Sequence, residues 1–208
     1  MGGEAMTVAK RREREQSMRR ELIMNTARQL FAEKGVDSTT VEEIAARAEL
    51  GKGTIYSYFQ SKEQIYIAIL ESGLDDLRER MDRAMENPAS AVDALYKMYD
   101  VFIEFNRERK GFVESLFLQA DQQSFFRLSG VVGGLKNRAS VWNELVAKVL
   151  QWGIERGEFK RLDVNKLAQV IVGMIIGLII QNQIVPPDTG FDSFGDVMFE
   201  MTLEGIRK

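Results

Sequence analysis

Between Thr39 and Lys62 the chain reads TTVEEIAARAELGKGTIYSYFQSK, and Lys52, Gly53, Thr54 and Tyr56 fall within five residues of one another. That set suits contact with a DNA duplex. A lysine can donate to guanine O6 and N7, a threonine methyl can meet a thymine methyl, and a glycine lets the backbone approach closely. Ser57 is a weaker candidate for the same role. Catalytic chemistry has little to draw on, because the 208 residues include no Cys and no His. Disulfides, thiolate or imidazole zinc sites, Cys nucleophiles, Ser-His-Asp triads and the Glu-x-x-His sites of di-iron bundles are all excluded. Carboxylates, lysines and serines would have to carry any reaction alone, and no constellation of them suggests one. We assign no catalytic residue, no metal ligand and no cofactor.

The elements around these residues must present them to a groove. Thr39 and Thr40 stand at a helix N-cap, followed by Glu42 and Glu43 in the first turn. Ile44, Ala45 and Ala48 then form an apolar stripe on a short helix. Gly51 and Gly53 bracket Lys52 at the start of a second short helix, where Ile55 and Phe59 can anchor it to the first. Two short helices joined by a tight turn outline a helix-turn-helix, whose second helix enters the major groove.

The run resembles the DNA-binding domain of the TetR/AcrR family of transcriptional repressors. The resemblance is carried by Thr39-Thr40, Ile44-Ala45, Ala48, Gly53-Thr54-Ile55-Tyr56, Tyr58-Phe59, Ser61-Lys62-Glu63 and Ile65, with Ala27, Leu30, Phe31, Gly35 and Val36 fitting the family's first helix. It covers about a quarter of the chain. It implies that Thr39 or Thr40 and Lys62 grip the DNA backbone at the two ends of the motif, and that Tyr58 reaches phosphate. Two residues depart from the pattern. Glu49-Leu50 stands where the family has Gly-Val, putting Glu49 at a turn position that favours positive φ, and Gly51 replaces a capping Ser.

The rest of the chain reads as helices. Its three prolines, Pro88, Pro186 and Pro187, mark breaks, and no sustained period-two alternation occurs. Helices are expected over residues 14–34, from Ser61 to about 86, from Pro88 onward, over 110–121, 136–156, 163–184 and 192–207, with the path through 122–135 open. The fold is all-α, about nine helices, which is the family's usual count. A three-helix DNA-binding domain with a basic N-terminal arm is expected over 1–62, and a larger helical effector-binding and dimerisation domain over 63–208. Charge supports the division. Net charge is −3, yet six basic residues between Lys10 and Arg20 face only Glu13 and Glu15, a pattern suited to an arm that touches phosphate.

Val170 to Ile180 reads VIVGMIIGLII. Eleven apolar residues fall short of the roughly 20 a bilayer span needs, so this is expected to be a buried helix. No secretory signal or myristoylation pattern is visible at the N-terminus, and a cytoplasmic, membrane-free protein is expected.

The resemblance also implies partners. One such module buries too little surface for tight operator binding, so the expected partners are palindromic double-stranded DNA, a second copy of the chain and a small-molecule effector of unknown identity. Val170, Gly173, Met174 and Gly177, paired with Phe194, Met198 and Met201, are the candidate dimer interface. Met98, Phe102, Phe105, Phe112, Phe117, Phe125, Phe126, Trp142 and Met174 are the candidate effector-pocket walls. The competing reading is a ligand-independent helix-turn-helix activator or architectural protein. A footprint that vanishes with a small molecule would argue against it.

Overall fold

A computed structural model describes residues 2–109, 129–184 and 191–207. Eight helices run through them: α1 (Gly2–Lys34), α2 (Val41–Arg47), α3 (Lys52–Tyr58), α4 (Lys62–Ala84), α5 (Ala91–Glu108), α6 (Ser129–Glu155), α7 (Val164–Ile184) and α8 (Phe191–Ile206). An isolated bridge between Phe159 and Arg207 is the only β-type pairing among the described residues. The helix expected over 110–121 lies outside them. Two compact units result, Met1–Ser72 and Gly73–Lys208.

In the first unit, Ile23, Ala27 and Leu30 recur along one face of α1 and bury against Val41, Ile44 and Ala45 of α2, Ile55 of α3, and Ile65, Ala68 and Ile69 of α4. Phe31 meets Tyr66 edge to face, with ring centroids 5.8 Å apart. Leu22 is exposed, because the buried face begins with Ile23 and Met24. α1 also starts far earlier than residue 14. No proline interrupts residues 2–21, Arg and Glu are good helix formers, and Arg11 pairs with Glu15 one turn on at 3.1 Å. Gly35 ends α1 with φ +83°, donating its N–H to the Phe31 carbonyl at 2.9 Å, the left-handed C-terminal turn that glycine adopts without strain.

In the second unit, α5 buries Leu95, Met98, Tyr99 and Phe102, and α6 packs beside it, with the Phe102 ring edge-on to Trp142 at 5.1 Å. α7 packs on α6, and α8 on α7. Pro88 does not open α5. Ser90 is the N-cap, its hydroxyl accepting from the Asp93 N–H at 3.0 Å, and Pro88 lies two residues outside. At the far end of α5, Arg80 and Arg109 both bond Asp76 (3.2 and 2.6 Å) and both sit over the buried Phe105 ring. α7 is not buried all round. Ala168, Ile171 and Ile175 face inward, while Val170, Gly173 and Gly177 are exposed.

The end of α6 shows how closely this unit is fitted. Gly157 turns the chain with φ +73°, and Phe159 folds back onto Gly153. Glu158 accepts from the Ala91 N–H at 2.9 Å, and the Lys160 N–H donates to the Ile206 carbonyl at 2.8 Å. A Cβ on Gly153 would overlap the Phe159 ring and come within 2.8 Å of the Ala91 methyl. Gly153→Ala should therefore lower stability by about 1–3 kcal/mol through overpacking. The urea midpoint reads this directly, and an unchanged midpoint would mean that the Phe159 ring swings clear at no cost.

Candidate functional site

The turns on either side of α2 are built from local hydrogen bonds. Thr40 caps α2 in a reciprocal capping box: its hydroxyl accepts from the Glu43 N–H at 3.3 Å, and its own N–H donates to the Glu43 carboxylate at 2.9 Å. Thr39 is 1 % exposed, and its hydroxyl donates to the Gly35 carbonyl at 2.8 Å. Of the two threonines assigned to the DNA backbone, Thr39 therefore belongs to the interior of the turn, and only Thr40 is at the surface. Glu49 takes φ +55°, the left-handed conformation its place in the turn implied, while the Leu50 N–H reaches back to the Ala45 carbonyl at 2.9 Å.

α3 starts at Gly51 without a side-chain cap. Ile55 is fully buried and Phe59 nearly so, which turns the opposite face outward. Gly53, Tyr56 and Ser57 are exposed on the outward side, Lys52 is exposed in the first turn of the helix, and Thr54 is half-buried. A Cβ on Gly53 would meet nothing within 4 Å, so packing inside the protein does not require glycine there. The Ser57 hydroxyl turns back to the Thr54 carbonyl at 2.7 Å. Tyr58 is half-buried against the core, and the Lys62 ammonium donates to the Asp37 carbonyl at 3.1 Å. That carbonyl is neutral, so the lysine keeps its net charge for an anion.

Acidic residues on α1 and α2 hold much of the nearby positive charge. Lys52 contacts Glu42, Lys34 contacts Glu43, and Arg47 bonds Glu33 at 2.6 Å. Glu42 raises the pKa of Lys52, and Lys52 in return lowers that of Glu42. The Lys34 ammonium, then the Thr40 N–H and hydroxyl, bring the Glu43 carboxyl from its ordinary 4.5 down to about 2. Sequence reasoning missed these pairs, because they join residues 9 to 14 positions apart across a turn.

The second unit contains a narrow apolar cavity of about 30 Å³. Of the candidate pocket residues, Met98, Phe102 and Trp142 line it, joined by Leu95, Ile171 and Phe199, which the sequence did not single out. Phe105 is not a wall; its buried ring is flanked by Arg80 and Arg109. Met174 is half-buried and lies outside the lining, where Ile171 and Ile175 stand instead. Phe112, Phe117, Phe125 and Phe126 lie outside the described residues.

Two short helices joined by a tight turn, the second exposed and lysine-bearing, define a helix-turn-helix of the kind found in DNA-binding regulators. Residues 23–69 match the family model of bacterial regulatory proteins of the tetR family. That segment is a DNA-binding domain of the tetR kind, and over most of its length the chain is similar to DNA-binding transcriptional regulators. It is 26% identical over 161 residues to the HTH-type transcriptional regulator YhgD of Bacillus subtilis, covering 77% of this chain and 82% of that one. Its fold is similar to that of the ketosteroid transcriptional regulator KstR2 of Mycobacterium tuberculosis, with a TM-score of 0.68, 26% identity, and 91% and 95% of the two chains covered. It is also similar to that of the transcriptional regulator FadR of Bacillus subtilis in complex with stearoyl-CoA, with a TM-score of 0.74, 22% identity, and 90% and 99% covered.

Two outcomes follow from the charge arrangement. The depressed pKa of Glu43 contributes stability that is fully present above pH 4.5 and lost as pH falls towards about 2. The melting temperature of Glu43→Gln should lie below that of the parent between pH 5 and 7, and the gap should close near pH 2. Glu42→Gln should strengthen binding to any duplex by about two- to fivefold at fixed salt, because it frees Lys52 and removes a charge that repels phosphate. Unchanged affinity in a titration would mean that this pair does not face DNA.

Proposed function

We propose that this regulator is a cytoplasmic repressor that binds a palindromic operator as a homodimer and is released by an apolar small molecule. The outward face of α3 carries the reading: Lys52, Gly53 and Tyr56 are exposed together above a buried Ile55. Lys52 and Thr54 read base edges, while Thr40, Tyr58 and Lys62 position the backbone. Residues 1–62 form the DNA-binding domain and residues 63–208 the effector-binding and dimerisation domain.

Dimerisation is supported by apolar groups left in solvent. Val170 on α7, and Val197 and Met201 on α8, are more than half exposed. Gly173 and Gly177 leave open space along the same helix, allowing a second helix to come close. Met174 and Met198 are half-buried beside them, and the side chain of Phe194 is outside the described residues. No helix among the described residues is long and apolar enough to cross a membrane, so a partner protein surface is the better cover for these groups.

The effector class is argued from the cavity, whose walls are almost entirely hydrocarbon and aromatic. Such walls favour an apolar guest or the apolar part of one, and the acyl chain of the stearoyl-CoA bound by the structurally similar FadR is of that kind. A guest that favours one spacing of the two recognition helices, about 34–36 Å apart on DNA, shifts the population towards or away from the operator.

Selection of purified protein against random duplexes tests the reading. An inverted repeat should be enriched by the parent and lost with Lys52→Ala and Tyr58→Ala. Sedimentation should show a dimer that Val170→Arg or Met201→Glu dissociates. Enrichment of a single, non-repeated half-site would overturn the dimeric operator model, and a complex indifferent to acyl and sterol ligands would overturn the effector class.

A further inference from the structure

The stretch of α1 from Lys10 to Leu22 has no buried face. Every residue from Lys10 to Leu22 is exposed, and burial begins at Ile23. At about 1.5 Å per residue, residues 2–22 make a rod of roughly 30 Å. A helix without a buried face is not held in place by the core it precedes.

Its charge is one-sided in sign and only partly neutralised. Arg11 pairs with Glu15 at 3.1 Å, and the Arg20 guanidinium lies 4.4 Å from the centroid of the Phe59 ring. None of Lys10, Arg12, Arg14 and Arg19 has an acidic partner among the described residues. Helical spacing puts Lys10 and Arg14 on one flank and Arg12 and Arg19 on nearly the opposite one. Between the flanks lie Glu13, Gln16, Ser17 and Arg20, which line an open groove shared with Ser57 and Tyr58 of α3. The rod therefore runs alongside the last turn of the recognition helix.

We propose that the N-terminal rod of α1 is a second DNA-binding element, which lies along the duplex outside the half-site read by α3 and neutralises backbone phosphates whatever their sequence. This inference rests on the operator-binding reading above. Duplex DNA carries a charge about every 1.7 Å of its axis, so a rod of this length always meets several phosphates. Cationic side chains on opposite flanks can reach the two backbones that border one groove. The Glu13 carboxylate, on the strip between them, repels phosphate from that strip and leaves the contacts to the flanks.

The test uses the full chain and a triple variant, Lys10→Gln, Arg12→Gln and Arg14→Gln. Each is titrated against the selected operator on two duplexes, one trimmed to its half-sites and one extended by about one helical turn on each side. The parent should prefer the extended duplex by about tenfold or more, while the variant binds both as the parent binds the trimmed one. On the extended duplex, the slope of log affinity against log salt should be shallower for the variant by about three per subunit. The three positions are fully outside the core, so equal melting temperatures should accompany the change. Equal affinity of the parent for both duplexes overturns the rod as a DNA element but leaves operator reading intact. Failure of the parent to select any operator overturns both.

Discussion

The seven residues of α3 could not hold a helix by themselves. Isolated helices shorter than about 12 residues are marginal in water, and this one starts without a side-chain cap. Its existence depends on the burial of Ile55 and Phe59 against α1, α2 and α4. That single constraint fixes which side chains meet solvent, since anchors on one side turn Gly53, Tyr56 and Ser57 outward and leave Lys52 exposed at the helix start. The capping box at Thr40, the left-handed Glu49 and the Gly35 turn all set the path of the chain so that these two anchors reach the core. The surface proposed to meet DNA is thus defined from beneath.

The electrostatics of the same surface work against tight, indiscriminate binding. Glu33, Glu42 and Glu43 each hold a neighbouring cation at the edge of the motif. Exposed pairs of this sort add little to stability. Their larger effect is that Lys52 must leave Glu42 before it can meet a base or a phosphate. Nonspecific duplex offers less in exchange than a matched site, so the acidic residues of α2 favour discrimination over raw affinity.

The local parts of this architecture were legible in the sequence. Thr40 and Ser61 work through hydrogen bonds within a few residues, and the left-handed Glu49 followed from the glycine that the resembling family carries there. The phase of Ile44, Ile55 and Phe59 was equally readable, because helical periodicity separates the inner face from the outer. What escaped was set by partners distant in sequence. Leu22 and Ile23 are equally apolar, and only the docking of α2 to α4 decides which is buried. Thr39 and Thr40 carry the same hydroxyl, yet the Gly35 carbonyl claims one of them. In the second unit, Phe105 and Phe102 both suit a cavity wall, and the two guanidiniums flanking Phe105 distinguish them. The run from Val170 to Ile180 looked uniformly buried because it has no polar residue, but polarity does not report which face a second helix will cover.

The cavity among Met98, Phe102, Trp142 and Ile171 measures about 30 Å³, whereas sites for drug-sized ligands span about 300–1,000 Å³. Any guest larger than a few atoms must first find these helices parted. The apparent dissociation constant of such a guest is its intrinsic value divided by the fraction of molecules already open. Residues that never touch the guest, by tightening or loosening the contact between α5 and α6, would then set the concentration at which it is sensed. Sensitivity becomes a property of the closed core, and substitutions that merely loosen packing would lower the threshold for response without altering a single ligand contact.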